Sequence, residues 1–68
     1  MTTVTVNGAR TQVDVGATVA DVVQALDVTA RRGVAVAVGG EVVPRGQWER
    51  RVLDDGERVE VVQAIQGG

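Results

Sequence analysis

The spacing of valine changes period once along this chain and then changes back, and that pattern constrains the fold more than any other feature of the sequence. Thr3-Val4-Thr5-Val6 alternates polar and apolar residues at period two, as a strand with one buried face does. Asn7-Gly8 follows, a pair that tolerates the positive φ of a tight hairpin turn, and alternation resumes over 11–15. The opening is therefore read as a β-hairpin, with Val4, Val6, Val13 and Val15 directed at a core and Arg10, Gln12 and Asp14 at water. After Gly16-Ala17 the period lengthens. Val19, Val22, Val23 and Leu26 fall at i, i+3, i+4 and i+7, the apolar stripe of a helix lying on a sheet, while Asp21 and Gln24 take the other side. Thr18 followed three residues later by Asp21 resembles a capping box, so the spacing predicts a helix over 18–27.

The shorter period then returns. Residues 28–33 read as a loop exposing Arg31-Arg32, and Val34-Ala35-Val36-Ala37-Val38 reads as a strand whose large and small residues occupy opposite faces. Gly39-Gly40 permits a reversal into Glu41-Val42-Val43. Pro44 has no N–H to donate, so regular pairing is expected to stop there and 45–48 to form an irregular or short helical turn. Val52-Leu53 is a brief strand candidate before the turn Asp54-Asp55-Gly56. The last and longest strand is expected over 57–65, and because Val59, Val61 and Val62 put apolar side chains on both of its faces it reads as a central strand. A hairpin, one crossover helix and further strands ending in a central one give an α+β fold, a ubiquitin-like β-grasp with a single mixed sheet of four to five strands wrapped on one helix. Residues 1–64 form the domain and 65–68 a flexible tail. No internal repeat, linker or low-complexity segment interrupts it.

Composition narrows what such a domain does. A chain of 68 residues, 44% of them hydrophobic, has material for one small core and no room for a second domain. At this length folding buries only about 60% of the surface of the unfolded chain, which argues against a large catalytic cavity and for a binding or carrier module. The sequence contains no Ser, Lys, His, Cys, Tyr or Phe. The usual side-chain nucleophiles and the imidazole base are therefore missing, and with them ordinary zinc sites and disulfides. The nine acidic residues are scattered, so no catalytic residue and no metal site is assigned and the chain is not read as an enzyme. All seven basic residues are arginine, and a net charge of -2 gives no basic patch for nucleic acid. No apolar run approaches the roughly 18 residues that span a membrane, and Met1-Thr2-Thr3-Val4 lacks the charged and apolar regions of a leader. The expectation is a cytoplasmic, unprocessed protein that is monomeric when free.

The sequence closes on Ile65-Gln66-Gly67-Gly68, with nothing after the final strand able to pack. Extended, four residues reach roughly 13 Å. Glycines have no β-carbon, so such a tail threads a channel too narrow for any side chain and carries the terminal carboxylate of Gly68 into a buried active site, with Ile65, Gln66 and Gly67 as the inserted segment. If the helix covers one sheet face, the other is open, and Ala35, Ala37, Val62 and Ala64 form a candidate partner-binding patch beside the tail. Trp48, the one aromatic residue, is either a plug at the end of the core or an anchor for a partner, and Arg45 is left to pair with an acid of this chain or of another.

Val43-Pro44-Arg45, then Trp48, then Leu53-Asp54-Asp55-Gly56, the strand from Val59 and the Gly67-Gly68 terminus together resemble the ThiS family, the sulfur carriers of thiazole formation in thiamin biosynthesis. The resemblance covers the whole chain, with valine standing where larger apolar residues are common in the family's last strand. The Gly-Gly terminus is shared by several ubiquitin-like carriers; the Val-Pro-Arg-x-x-Trp run is far more specific to this one. What the resemblance implies is a cycle. A ThiF-type, E1-like adenylyltransferase uses ATP to adenylate the Gly68 carboxylate, sulfur from a cysteine desulfurase or sulfurtransferase displaces AMP to leave a C-terminal thiocarboxylate, and a ThiG-type thiazole synthase takes the sulfur. No cofactor is bound in that scheme; the acyl-adenylate and the thiocarboxylate are transient modifications. The alternatives are a carrier for another pathway, similar to the small subunit of molybdopterin synthase, a ubiquitin-like protein modifier, or a plain interaction module. The absence of lysine leaves no side-chain amine on which chains of this protein could be built on itself.

Overall fold

In the computed structural model, which describes residues 1–26 and 33–63, Asn7 and Gly8 take φ of 50° and 84°. The hairpin they close sets the register of the first two strands. Strand β1 (Thr2–Val6) pairs antiparallel with β2 (Ala9–Val13) from Val6↔Ala9 to Thr2↔Val13. The second strand thus begins and ends two residues earlier than the alternation suggests. A two-residue turn places Ala9 directly opposite Val6, and β1 has no residue left to pair beyond Val13. Val15 consequently stands past the end of the ladder, 79% exposed rather than in the core.

Helix α1 (Val19–Ala25) is short and rich in β-branched residues, which lose rotamer freedom in a helix, so its ends and its packing must hold it. Both do. Thr18 and Asp21 form the reciprocal capping box, Thr18 N donating to the Asp21 carboxylate at 2.9 Å and Asp21 N to the Thr18 hydroxyl at 3.3 Å. The two remaining orphan N–H groups of the first turn, on Val19 and Ala20, donate to the carbonyls of Arg51 and Trp48, each at 3.0 Å. Val19, Val22 and Val23 are buried as the stripe requires. Leu26 is not. The helix ends at Ala25 with Leu26 as its C-cap, and the leucine is 43% exposed. Asp27 and residues 28–32 of the loop expected over 28–33 lie outside the described residues; Gly33, at its end, is in a turn with φ 74°.

Strand β3 (Val34–Val38) turns through Gly39-Gly40, both with positive φ, into β4 (Glu41–Val43), and pairing ceases at Pro44. Arg45–Gln47 form one tight helical turn. Val52 contributes only an isolated bridge to Thr18 rather than a strand, although its neighbour Leu53 is fully buried. Strand β5 (Arg58–Gln63) lies between β1, to which it is parallel, and β3, to which it is antiparallel. The sheet order is β2-β1-β5-β3-β4, so the last strand is central, as its apolar faces indicate. Glu57 belongs to the preceding turn, and the stretch of the expected strand past Gln63 lies outside the described residues. The core gathers Val4, Val6, Val36, Val38 and Val59 of the sheet against Val19, Val22 and Val23 of the helix, closed at one end by Trp48 and Leu53.

Candidate functional site

The tail residues Ile65, Gln66, Gly67 and Gly68, together with Ala64, lie outside the described residues, so the site is described from the strand that delivers them. Strand β5 enters the sheet through a turn tied to β1 on both sides of one residue. Thr3 N donates to the Asp55 carboxylate at 2.8 Å, and Gly56 N donates to the Thr3 carbonyl at 2.7 Å. Glu57 then secures the turn to the loop behind it. Its carboxylate accepts from both guanidinium nitrogens of Arg51, the shorter contact 2.6 Å, and from Asp54 N at 2.7 Å. The hydrogen bond from Arg51 is the chief reason that the Glu57 carboxyl is held below the usual carboxylate range, against a smaller upward push from partial burial. Arg51 is raised in turn by the same bond. Since the folded-state value lies below the unfolded one, this contribution to stability is complete above the ordinary glutamate range and is lost as pH falls through the depressed value. Glu57→Gln is therefore expected to flatten the acid limb of the stability curve, checked by urea midpoints of both proteins from neutral pH downwards; parallel curves would contradict the clamp.

Beyond the turn, β5 is held on both edges. On one, Thr5 N and Asn7 N donate to the carbonyls of Glu57 and Val59, both at 2.9 Å, and Val61 N donates to the Asn7 side-chain oxygen at 2.8 Å. On the other, the pairing with β3 runs from Val38↔Val59 to Val34↔Gln63. Because Val6 pairs with Val59 in a parallel ladder, β5 continues past the end of β1. The described part of β5 therefore ends, at its C-terminal exit, on the side of the sheet that carries the Asn7-Gly8 turn and the start of β3.

The sheet face turned away from the helix supplies the surface beside that exit. Ala35 and Val62 stand directly opposite one another in the ladder, both exposed, Val62 by 60%. Half-buried Ala37 lies between Glu60 on β5 and Val42 on β4, the latter 73% exposed. Three of the four residues read as a candidate patch thus share one face in adjacent register. Sequence reasoning missed Val42, although a two-residue Gly39-Gly40 turn pairs Val38 with Glu41 and so places Val42 beside Ala37. Glu60 sits within the apolar surface and Arg58 two residues before it, so the face is apolar with one charge of each sign at its β5 border.

Trp48 is the plug. It is 6% exposed, and its indole N–H donates to the Val43 carbonyl at 2.9 Å. The Arg45 guanidinium lies over its ring, 5.4 Å from the centroid, an attraction that holds the cation against the outer surface of the plug. A groove of about 400 Å³ on the opposite edge of the sheet, between β2 and α1, is lined by Val13, Ala17, Val22 and Leu26 with Asp14 and Asp21. It is separated from β5 by β1 and gathers no set of groups suited to acid–base or nucleophilic work. Among the described residues no cluster of carboxylates is placed to hold a metal ion, and no helix is long and apolar enough to cross a membrane.

Comparison with known proteins converges on one group. The model of the ThiS family matches residues 4–68. The chain is 34% identical over 62 residues to the sulfur carrier protein ThiS of Escherichia coli (strain K12), covering 91% of this chain and 92% of that protein. Its fold is similar to the crystal structure of the thiamine biosynthesis protein ThiS from Geobacter metallireducens, with a TM-score of 0.79, 32% identity and coverage of 97% of this chain and 99% of the other.

Proposed function

This chain belongs to the ThiS family of sulfur carriers in thiamin biosynthesis, and from that premise we propose that the carboxylate of Gly68 is where the sulfur is carried. The family match carries the reading, because it runs through the tail to Gly68 as well as over the sheet. A carboxylate resists nucleophiles, so it must first become a mixed anhydride. A ThiF-type adenylyltransferase spends ATP to make the acyl-adenylate and release pyrophosphate; the terminal sulfur of a persulfide, carried by a cysteine desulfurase or sulfurtransferase, then displaces AMP to give an acyl disulfide, and a thiol reductant cleaves the S–S bond, leaving the thiocarboxylate and taking the other sulfur into a disulfide. A ThiG-type thiazole synthase takes the sulfur and returns a carboxylate for another round, in the cytoplasm where ATP is supplied.

This chain supplies no acid, base or nucleophile to those steps, in keeping with the missing Ser, Cys, His and Lys. It supplies the electrophilic carbonyl, a tail slim enough to enter an enzyme, and a rigid sheet whose open face, Ala35, Ala37, Val42 and Val62, sits beside the exit for a partner to grip. Intact-mass spectrometry tests the reading. Incubation with a ThiF-type enzyme, ATP and a sulfur source is expected to add the mass of one sulfur-for-oxygen exchange, and deletion of Gly68 to abolish the gain. A wild-type protein that gains no mass and forms no acyl-adenylate with a demonstrably active enzyme would overturn it.

A further inference from the structure

Asn7 holds two positions at once. Its backbone, at φ 50°, occupies the first place of the hairpin turn, where asparagine is well tolerated. Its side chain reaches across to the strand that carries the tail, accepting from Val61 N at 2.8 Å over a sequence separation of 54. The parallel ladder explains why a side chain is needed. Asn7 N still donates to Val59, but at Asn7 the chain turns back towards β2, so β1 has no further main-chain carbonyl to offer the next N–H of β5. The side-chain carbonyl stands in for it. Without that bond, Val61 would be the first residue of β5 left unpaired on its β1 side, two residues before Gln63, where the described part of the strand ends.

We infer that Asn7 is a positioning residue for the tail: by extending the ladder one step beyond β1, it fixes the direction in which β5 leaves the sheet, and hence the presentation of Gly68 to the activating enzyme. This rests on the reading of the tail proposed above. Freedom in the last residues of β5 spreads the tail over orientations that do not enter a channel, and the enzyme must then select the competent fraction, which raises apparent KM in proportion. Once the tail is inserted, the chemistry at the Gly68 carbonyl is unaltered. The signature is therefore a change in KM with kcat preserved.

Two substitutions separate this role from that of the turn. Asn7→Gly keeps the positive φ at no steric cost and removes the acceptor, whereas Asn7→Asp keeps an oxygen within reach. With a ThiF-type enzyme, ATP and a sulfur source, Asn7→Gly is expected to raise the KM for the carrier about fivefold with kcat within about twofold of wild type, and to speed hydrogen exchange at the Val61 amide about five- to tenfold, the worth of one net hydrogen bond. Exchange at Val36 and Val38 should be unchanged. Asn7→Asp is expected to restore both readouts. A freed Val61 amide with wild-type KM would overturn the positioning role, as would an equal rise in KM for both variants. Wild-type protein that took up no sulfur would sink the tail chemistry itself, and the exchange contrast between the two variants distinguishes that failure from a failure of Asn7 to hold the strand.

Discussion

Trp48→Ala is expected to remove a large share of the chain's stability and to lower its urea midpoint steeply. The indole closes one end of the core at 6% exposure, and its removal deletes both the largest apolar surface in the chain and the donor to the Val43 carbonyl. Truncating a buried Trp to Ala costs about 3–5 kcal/mol. Domains are stable by roughly 0.05–0.15 kcal/mol per residue, so 68 residues have about 3–10 kcal/mol to lose. The loss is also transmitted beyond the cavity. The main chain of Trp48 accepts from Ala20 at the helix start, and a collapsing 45–51 segment would release the cap it makes there together with Arg51. Far-UV circular dichroism with a urea titration checks this, the indole having been removed as a fluorescent probe. Trp48→Phe supplies the calibration: it refills most of the cavity but leaves the Val43 carbonyl without its buried donor, at a cost of about 1–3 kcal/mol, so it should fold with a lower midpoint. A Trp48→Ala midpoint equal to wild type would show that the side chain does not support the core.

The same residue shows where sequence reasoning stops. That Trp48 is large and solitary is visible in the sequence; whether it faces inward depends on Val43, Ala20 and Val23 converging around it, and such convergence is a property of the folded chain. Elements governed by local chemistry were legible in full. The Asn7-Gly8 turn, the Thr18-Asp21 capping box, the Val34–Val38 alternation and the stop at Pro44 each follow from a few neighbouring residues. Errors arose where an element's length depends on a partner. Val15 continues the alternation of β2 and is nevertheless outside the sheet, because β1 ends first. Leu26 continues the helical stripe but caps a helix that stops at Ala25.

For the candidate site the division is sharper. The pattern of small and apolar residues marked Ala35, Ala37 and Val62, since side-chain parity in a strand is a local property. Val42 required the register across Gly39-Gly40, a single further step. The Arg51–Glu57 clamp, the Asp55 bond to Thr3 and the Asn7 bond to Val61 carry no sequence signal of their own. The partners in the last two are brought together only by the parallel pairing of the first and last strands, whereas Arg51 and Glu57, 6 residues apart, meet because the segment between them folds back on itself. These unsignalled bonds are also the ones that fix the strand bearing the tail.

Val62→Asp is expected to reduce kcat/KM for activation by about 30-fold or more while leaving the fold intact. Truncation or disruption of an interface anchor costs about 2 kcal/mol or more when the anchor is central and becomes dry on docking. Val62 is placed to serve as such an anchor: it stands opposite Ala35 in the ladder, diagonal to Ala37, and close to the end of the described part of β5. Aspartate in its place carries a charge that docking would have to desolvate, next to Glu60 on the same strand face. In the free protein that charge costs little, because the position is 60% exposed and the substitution creates neither a cavity nor a buried polar group. Val15→Asp is the matching control, the same change at a valine that is 79% exposed but lies beyond the far end of β2. Stability should stay within about 0.5 kcal/mol of wild type in both variants. Activation should fall only in the first, and there by a rise in KM, since Gly68 and its chemistry are untouched. Equal activation by the two variants would mean that the enzyme holds this carrier by its tail alone, and that the exposed valines of the open face are no more than surplus from a chain that must place 17 of them.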